Sequence, residues 1–190
     1  MENNHKEERL RDFLLSVGGR YQTASFDSMV KTPANSKALE ICKAFNKKKD
    51  NLYIYGPTGC GKTHLAIATA LKHFDPLTKF DKPSWFLRRL RMCEKAVDEL
   101  NEVKALIAAS ILAFDDLGIE KDSEFAVNSI YEVIDGRYIT GGGGLIITTN
   151  LSLDQLAAKL ASDRIPSRLA GMSKIVAMQG EDYRLTLRPI

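Results

Sequence analysis

Residues 56–63 read Gly-Pro-Thr-Gly-Cys-Gly-Lys-Thr, between the apolar run Asn51–Tyr55 and the run His64–Leu71. The first run can be a strand and the second a helix, the setting a phosphate-binding loop requires. Glycines let the backbone wrap a phosphate, and a helix N-terminus aims unpaired N–H groups and partial positive charge at it. The expected phosphate-binding set is Gly56, Pro57, Thr58, Gly59, Cys60, Gly61, Lys62, Thr63 and His64. Lys62 is placed to reach the β- and γ-phosphates and Thr63 to ligate Mg2+. Cys60 fills an unconstrained position and is assigned no chemistry.

A second set of residues turns phosphate binding into chemistry. The apolar run Ile111–Phe114 ends in Asp115 and Asp116. Two adjacent acids at the end of a buried strand are costly without a metal or cationic partner. Asp115 is expected to hold Mg2+ opposite Thr63, and Asp116 to orient an attacking water. Asn150 closes the run Leu145–Thr149 and should face the same crevice, because ligands of open α/β sheets sit beyond the carboxyl ends of the strands. The cofactors implied are ATP and Mg2+. The string Asn46–Asp50 superficially looks like a guanine-reading motif, but its spacing is wrong and it precedes the loop, so ATP is favoured over GTP.

These residues need a frame. Helices are expected over 5–15, 34–48, 87–109, 123–138 and 154–161, the last with Ser152 as N-cap. Strands are expected over 51–55, Ser84–Phe86, 111–116, 145–150 and 174–178. Strands alternating with helices predict an α/β fold, a three-layer αβα phosphate-loop NTPase core around a central parallel sheet. Gly141–Gly144 is read as a turn.

Composition sets the outer bounds. At 190 residues, 44% hydrophobic and 27% charged, the chain is sized for one globular domain. No stretch approaches the ~20 apolar residues that span a bilayer. The polar start Met1–Arg11 does not read as a secretory signal, and Cys42, Cys60 and Cys93 are scattered. A cytoplasmic protein without membrane contact is expected. Net charge is only +3, but basic residues cluster over 31–49 and 79–95. Either cluster could meet phosphate backbones, with Arg88, Arg89 and Arg91 the first candidates. Trp85 could offer a stacking surface, but a place in the core is expected.

Taken together, Phe26-Asp27 and the helix after it, Gly56–Thr63, Ile111–Gly118, Ile134–Tyr138, Ile146–Leu151, Asp163–Leu169 and Asp182–Arg184 resemble the AAA+ ATPases of the DnaC-type helicase-loader and IstB-type transposition-helper group. The resemblance implies an AAA+ ATPase domain over 21–190 and a Walker B pair at Asp115 and Asp116. It further implies a sensor-1 role for Asn150, a trans-acting arginine finger at Arg168 with Arg164 as runner-up, and a sensor-2 arginine at Arg184. It implies slow, assembly-dependent ATP hydrolysis and a homo-oligomer completed by the finger. The partners implied are single-stranded DNA and a replicative DNA helicase, acting in DNA replication. The alternative is a transposition helper on duplex DNA, and a non-hydrolysing adaptor is a third reading. Residues 1–20 are expected to be a short segment with a possible partner-binding helix, in place of the family's larger N-terminal domain. No C-terminal DNA-binding domain is expected after Ile190, so DNA contact falls to the ATPase domain.

Overall fold

The computed structural model describes residues 2–118, 123–141 and 144–183. Five parallel strands form one sheet: β1 (Leu52–Tyr55), β2 (Lys79–Asp81), β3 (Ile111–Leu117), β4 (Gly144–Thr149) and β5 (Lys174–Ala177), in the order β2-β3-β4-β1-β5. Among the described residues eight α-helices surround it: α1 (Glu2–Val17), α2 (Ser36–Lys43), α3 (Lys62–Lys72), α4 (Pro83–Met92), α5 (Ala96–Ile107), α6 (Glu124–Thr140), α7 (Leu153–Leu160) and α8 (Arg164–Met172).

Successive strand side chains point to opposite faces, so each strand feeds two cores. Leu52, Ile54, Ile111, Ala113 and Ile146 pack with Phe13, Leu39, Cys42, Leu65 and Ile67 from α1, α2 and α3. Tyr53, Leu112, Phe114, Leu145 and Ile147 pack with residues of α4 to α8 on the other side. Burial on both faces explains why the strands read as continuous apolar runs. The expected three-layer α/β arrangement is what the structure shows.

Three local expectations are corrected. The strand placed at Ser84–Phe86 lies instead at Lys79–Asp81, where Phe80 and Asp81 pair with Ala113 and Phe114. Pro83 suits the first turn of a helix, which needs no N–H there, and Phe86, Leu87 and Leu90 bury one face of α4. The single helix expected over 87–109 is two, separated where Cys93 and Lys95 take extended backbone. The helix expected over 34–48 ends at Lys43, and Asn46–Asp50 folds as a turn in which Asp50 accepts from the Asn46 N–H at 2.8 Å. The predicted cap holds: Ser152 and Gln155 close a capping box on α7.

Among the described residues Arg137 is the largest fully buried side chain. Its guanidinium donates to the carbonyls of Leu106, Ile107 and Ala109 at 2.8–2.9 Å and to Gly144 at 3.2 Å. Leu106 and Ile107 end α5, so the cation caps that helix's negative pole and ties it to the start of β4.

Candidate functional site

The carboxyl ends of β1, β3 and β4 converge on one crevice. From β1 the chain enters the loop 56–61 and then α3, whose N-cap Gly61 has φ 97°, a left-handed conformation that favours glycine. At Gly59 (φ 79°) a Cβ would overlap the Asp182 carboxylate, so the segment leading from β5 lies directly against the loop. The first N–H groups of a helix have no partner within it, and Lys62, Thr63 and His64 of the first turn of α3 line the crevice. Lys62 is buried, and its ammonium donates to the carbonyls of Gly56 at 2.8 Å and Pro57 at 2.7 Å.

The acids arrive from β3. The pairing of β3 with β4 shifts register between Phe114 and Leu117, a bulge that falls on Asp115 and Asp116. Bulges redirect side chains at sites of this kind. Asp116 takes φ 63°, and its N–H donates to Thr148 Oγ1 at 3.0 Å. Asp115 turns inward and is 1% exposed; its Oδ1 accepts from Thr63 Oγ1 at 2.8 Å and from Thr148 Oγ1 at 2.6 Å. Thr148 therefore braces both acids, a role no sequence spacing announced.

Lys82 is the second residue that sequence reasoning missed. It sits between β2 and α4, and its ammonium lies 2.6 Å from Asp116 Oδ2 and 3.1 Å from Asp115 Oδ2. Burial opposes its charge, yet the two carboxylates hold its pKa above the ordinary 10.5. The adjacency of two buried acids signalled that a cation was needed, but not that the chain supplies one from β2.

The residues fit a Mg2+ ion. Asp115 Oδ2 is buried and has no aligned hydrogen-bond donor, only the Lys82 ammonium 3.1 Å away, and it lies beside the Thr63 hydroxyl that already touches Oδ1. Mg2+ favours one or two protein oxygens completed by phosphates and water. Thr63 and Asp115 would hold it there, and the ion would neutralise charge on the phosphates. Among the described residues no larger cluster of metal-ligating side chains exists.

A pocket of 360 Å3 joins these parts, in the range of small-molecule sites. Thr58 to His64, Asp116 and Asn150 line one side; Arg20, Tyr21, Ser28, Met29, Val30 and Tyr183 line the rest. Asn150 is thus brought to the crevice. His64 also anchors it, its Nε2 lying 2.8 Å from the Ser25 carbonyl. Apolar and aromatic groups opposite the loop offer a surface for a base.

The arginines fall elsewhere. Arg168 lies on α8, its Nε 2.7 Å from Asp135 Oδ1 and its guanidinium over the Tyr138 ring, away from its own pocket. Arg164 stacks on Tyr131 at 4.0 Å. Arg184 lies outside the described residues. Arg88 and Arg91 are exposed on α4, whereas Arg89 is committed to Asp81 at 2.5 Å and Glu102 at 2.8 Å. Trp85 is 44% exposed, not in the core as expected. Among the described residues, no helix is long and apolar enough to cross a membrane.

Comparison with known proteins gives a family and a fold. Residues 20–189 match the family model described as IstB-like ATP binding protein. A Geobacillus stearothermophilus protein named for insertion sequence IS5376 and ATP binding is 26% identical over 148 residues, covering 75% of this chain and 58% of the relative. A structure titled as the DnaC helicase loader matches with a TM-score of 0.71 and 26% identity, over 85% of this chain and 100% of that one. AMPPCP-bound DnaA from Aquifex aeolicus matches at TM-score 0.73 and 20% identity, over 87% of this chain and 51% of that one, a likeness of fold. The chain spans 58%, 62% and 55% of the length of three curated relatives it matches.

Proposed function

We propose, from the premise that the chain belongs to the IstB-like ATP binding protein family, that it hydrolyses ATP with Mg2+ and uses the cycle to load a replicative helicase onto single-stranded DNA. The observation that carries the reading is the 2.8 Å bond from Thr63 to Asp115, which joins the phosphate loop to the acid strand in one metal-ready unit. Lys62 and the α3 N-terminus hold the phosphates, and Asp116 and Asn150 orient the attacking water. The transition state spreads charge over the γ-phosphoryl oxygens, and an arginine from a neighbouring subunit can be worth roughly 10³–10⁵ in rate. Arg168 is assigned that part, with Arg164 behind it, and Arg184 the part of an arginine from the same subunit. Hydrolysis is then slow until subunits assemble. The match to all of a helicase-loader chain at 26% identity supports the loading role.

A second reading, a transposition helper on duplex DNA, is favoured by the insertion-sequence names of several relatives. Pull-down from the native host with the Asp116→Asn variant held in ATP separates the two: a helicase supports loading and a transposase supports the helper. Purified protein that neither binds ATP nor responds to DNA would overturn both.

A further inference from the structure

Arg164 and Arg168 stand one turn apart on α8 and meet one stripe of α6, formed by Tyr131, Asp135 and Tyr138. Arg164 stacks on the Tyr131 ring at 4.0 Å. Arg168 is held twice. Its Nε donates to Asp135 Oδ1 at 2.7 Å, and its Cζ lies 4.6 Å from the centre of the Tyr138 ring. A guanidinium carries five N–H donors in a rigid planar fork. Asp135 takes the donor on Nε, the one nearest the main chain, and Tyr138 fixes the plane of the fork. The Nη groups at the far end are those that suit a phosphate, which takes two parallel N–H bonds. The Asp135 bond, and after it one to Tyr131, raises the pKa of a group that is charged at any working pH. The contact is therefore a mount and not a titrating switch.

The mount itself is rigid. Ile134 and Arg137 flank this turn of α6 and are fully buried, and Arg137 is tied to four carbonyls. Asp135 cannot swing away without disturbing them. Its side chain is 19% exposed, whereas that of Arg168 is 38% exposed. The anchor is thus the more covered partner, and the guanidinium is open to another molecule. Ion pairs exposed to this degree add little to stability, so what Asp135 supplies is orientation.

We propose that Asp135 is a positioning residue: it grips Arg168 by Nε and so presents the Nη end, already oriented, to a phosphate bound on a neighbouring copy of the chain. The inference rests on the assignment of Arg168 to the trans-acting role above. A loose arginine must be ordered in every turnover, at a cost in rotamer entropy. A mounted one is ordered once, when the chain folds. Tyr138 shares the work by holding the plane, and Asp135 sets the direction within it.

The test measures phosphate release by the full chain at saturating ATP, with protein concentration raised until the rate per chain levels off. Asp135→Ala should lower kcat roughly ten- to a hundredfold, the cost of a group misplaced by about 1 Å, with KM and affinity for a fluorescent ATP analogue little changed. Asp135→Asn, which keeps an acceptor oxygen but not the charge, should fall between. Adding Asp135→Ala to Arg168→Ala should cost almost nothing further, because the carboxylate acts only through the guanidinium. Subunit mixing then locates the defect. Asp135→Ala should regain activity with Lys62→Ala, which brings an intact Asp135–Arg168 pair to its pocket, and should regain none with Arg168→Ala. A purely structural fault in the pocket of Asp135→Ala would not complement in this pattern. Parent-level or raised kcat in Asp135→Ala, a loss confined to KM, a large further loss in the double variant, or recovery with Arg168→Ala would each overturn the proposal. If Asp135→Ala melts far below the parent, Asp135→Asn decides by the same double-variant and mixing comparisons. If Arg168→Ala hydrolyses ATP like the parent, the trans assignment and the positioning role fall together, whereas an inactive Arg168→Ala beside an unaltered Asp135→Ala removes the positioning role alone.

Discussion

The Thr63 hydroxyl donates to the Asp115 carboxylate at 2.8 Å across a sequence separation of 52 residues. One bond thus joins the first turn of α3 to the bulged end of β3. Both oxygens are where a Mg2+ ion would need them, and a triphosphate on the loop would complete its shell. Thr63→Ala should leave ATP binding in EDTA nearly unchanged and remove most of the gain that Mg2+ gives. Titration of a fluorescent ATP analogue with and without the metal measures this.

Lys62 and Asp116 should separate binding from turnover. Lys62→Ala removes the cation reaching the phosphates and should weaken ATP binding at least about a hundredfold. Asp116→Asn keeps shape and hydrogen bonding but loses the carboxylate, so binding should persist while phosphate release falls roughly 10²–10⁴-fold. An Asp116→Asn variant with wild-type phosphate release would remove Asp116 from the chemistry.

Lys82 balances the charge of Asp115 and Asp116 when no metal does. Lys82→Met should melt at lower temperature than the parent in EDTA, and Mg2+ should narrow the gap. The pH dependence has a definite sign. The folded pKa lies above the ordinary 10.5, so the contribution of Lys82 is complete below that value and fades as pH rises through the folded pKa. Thermal melts of parent and variant in EDTA should differ by a constant amount up to about pH 10 and converge above it.

Arg168 should act across a subunit boundary. Arg168→Ala should bind ATP normally and turn it over about 10³-fold more slowly. Mixing it with Lys62→Ala should restore part of the activity, because each supplies what the other lacks at a shared boundary. No recovery with Arg168→Ala, but recovery with Arg164→Ala, would assign the finger to Arg164.

Arg137 is a structural prediction. Substitution by Lys keeps the charge but cannot reach four carbonyls at once. Leaving buried acceptors unmet costs roughly 3 kcal/mol, which in a chain of this size lowers Tm by about 6–12 °C. ATP affinity of the folded fraction should be unchanged, and calorimetry beside nucleotide titration reads both.

The sequence by itself determined the phosphate loop, the acid pair, the strand carrying Asn150 and the α/β alternation. These are local devices: a glycine pattern wraps a phosphate wherever a strand leads in and a helix leads out, and runs buried on both faces announce parallel strands. It misjudged the stretch from Lys79 to Ile107, because Trp85 and Phe86 read as strand residues until Pro83 and the buried spacing of Phe86, Leu87 and Leu90 set a helix. What only the tertiary structure decided is which side chains meet across the sheet. Lys82 reaches Asp116 because β2 lies beside β3, and Thr148 reaches Asp115 because β4 lies on the other side. Arg89 turns from its basic neighbours to Asp81 and Glu102, leaving Trp85 outside. Strand order and bulge position are set by packing between segments some thirty residues apart, and no periodicity within one segment encodes that.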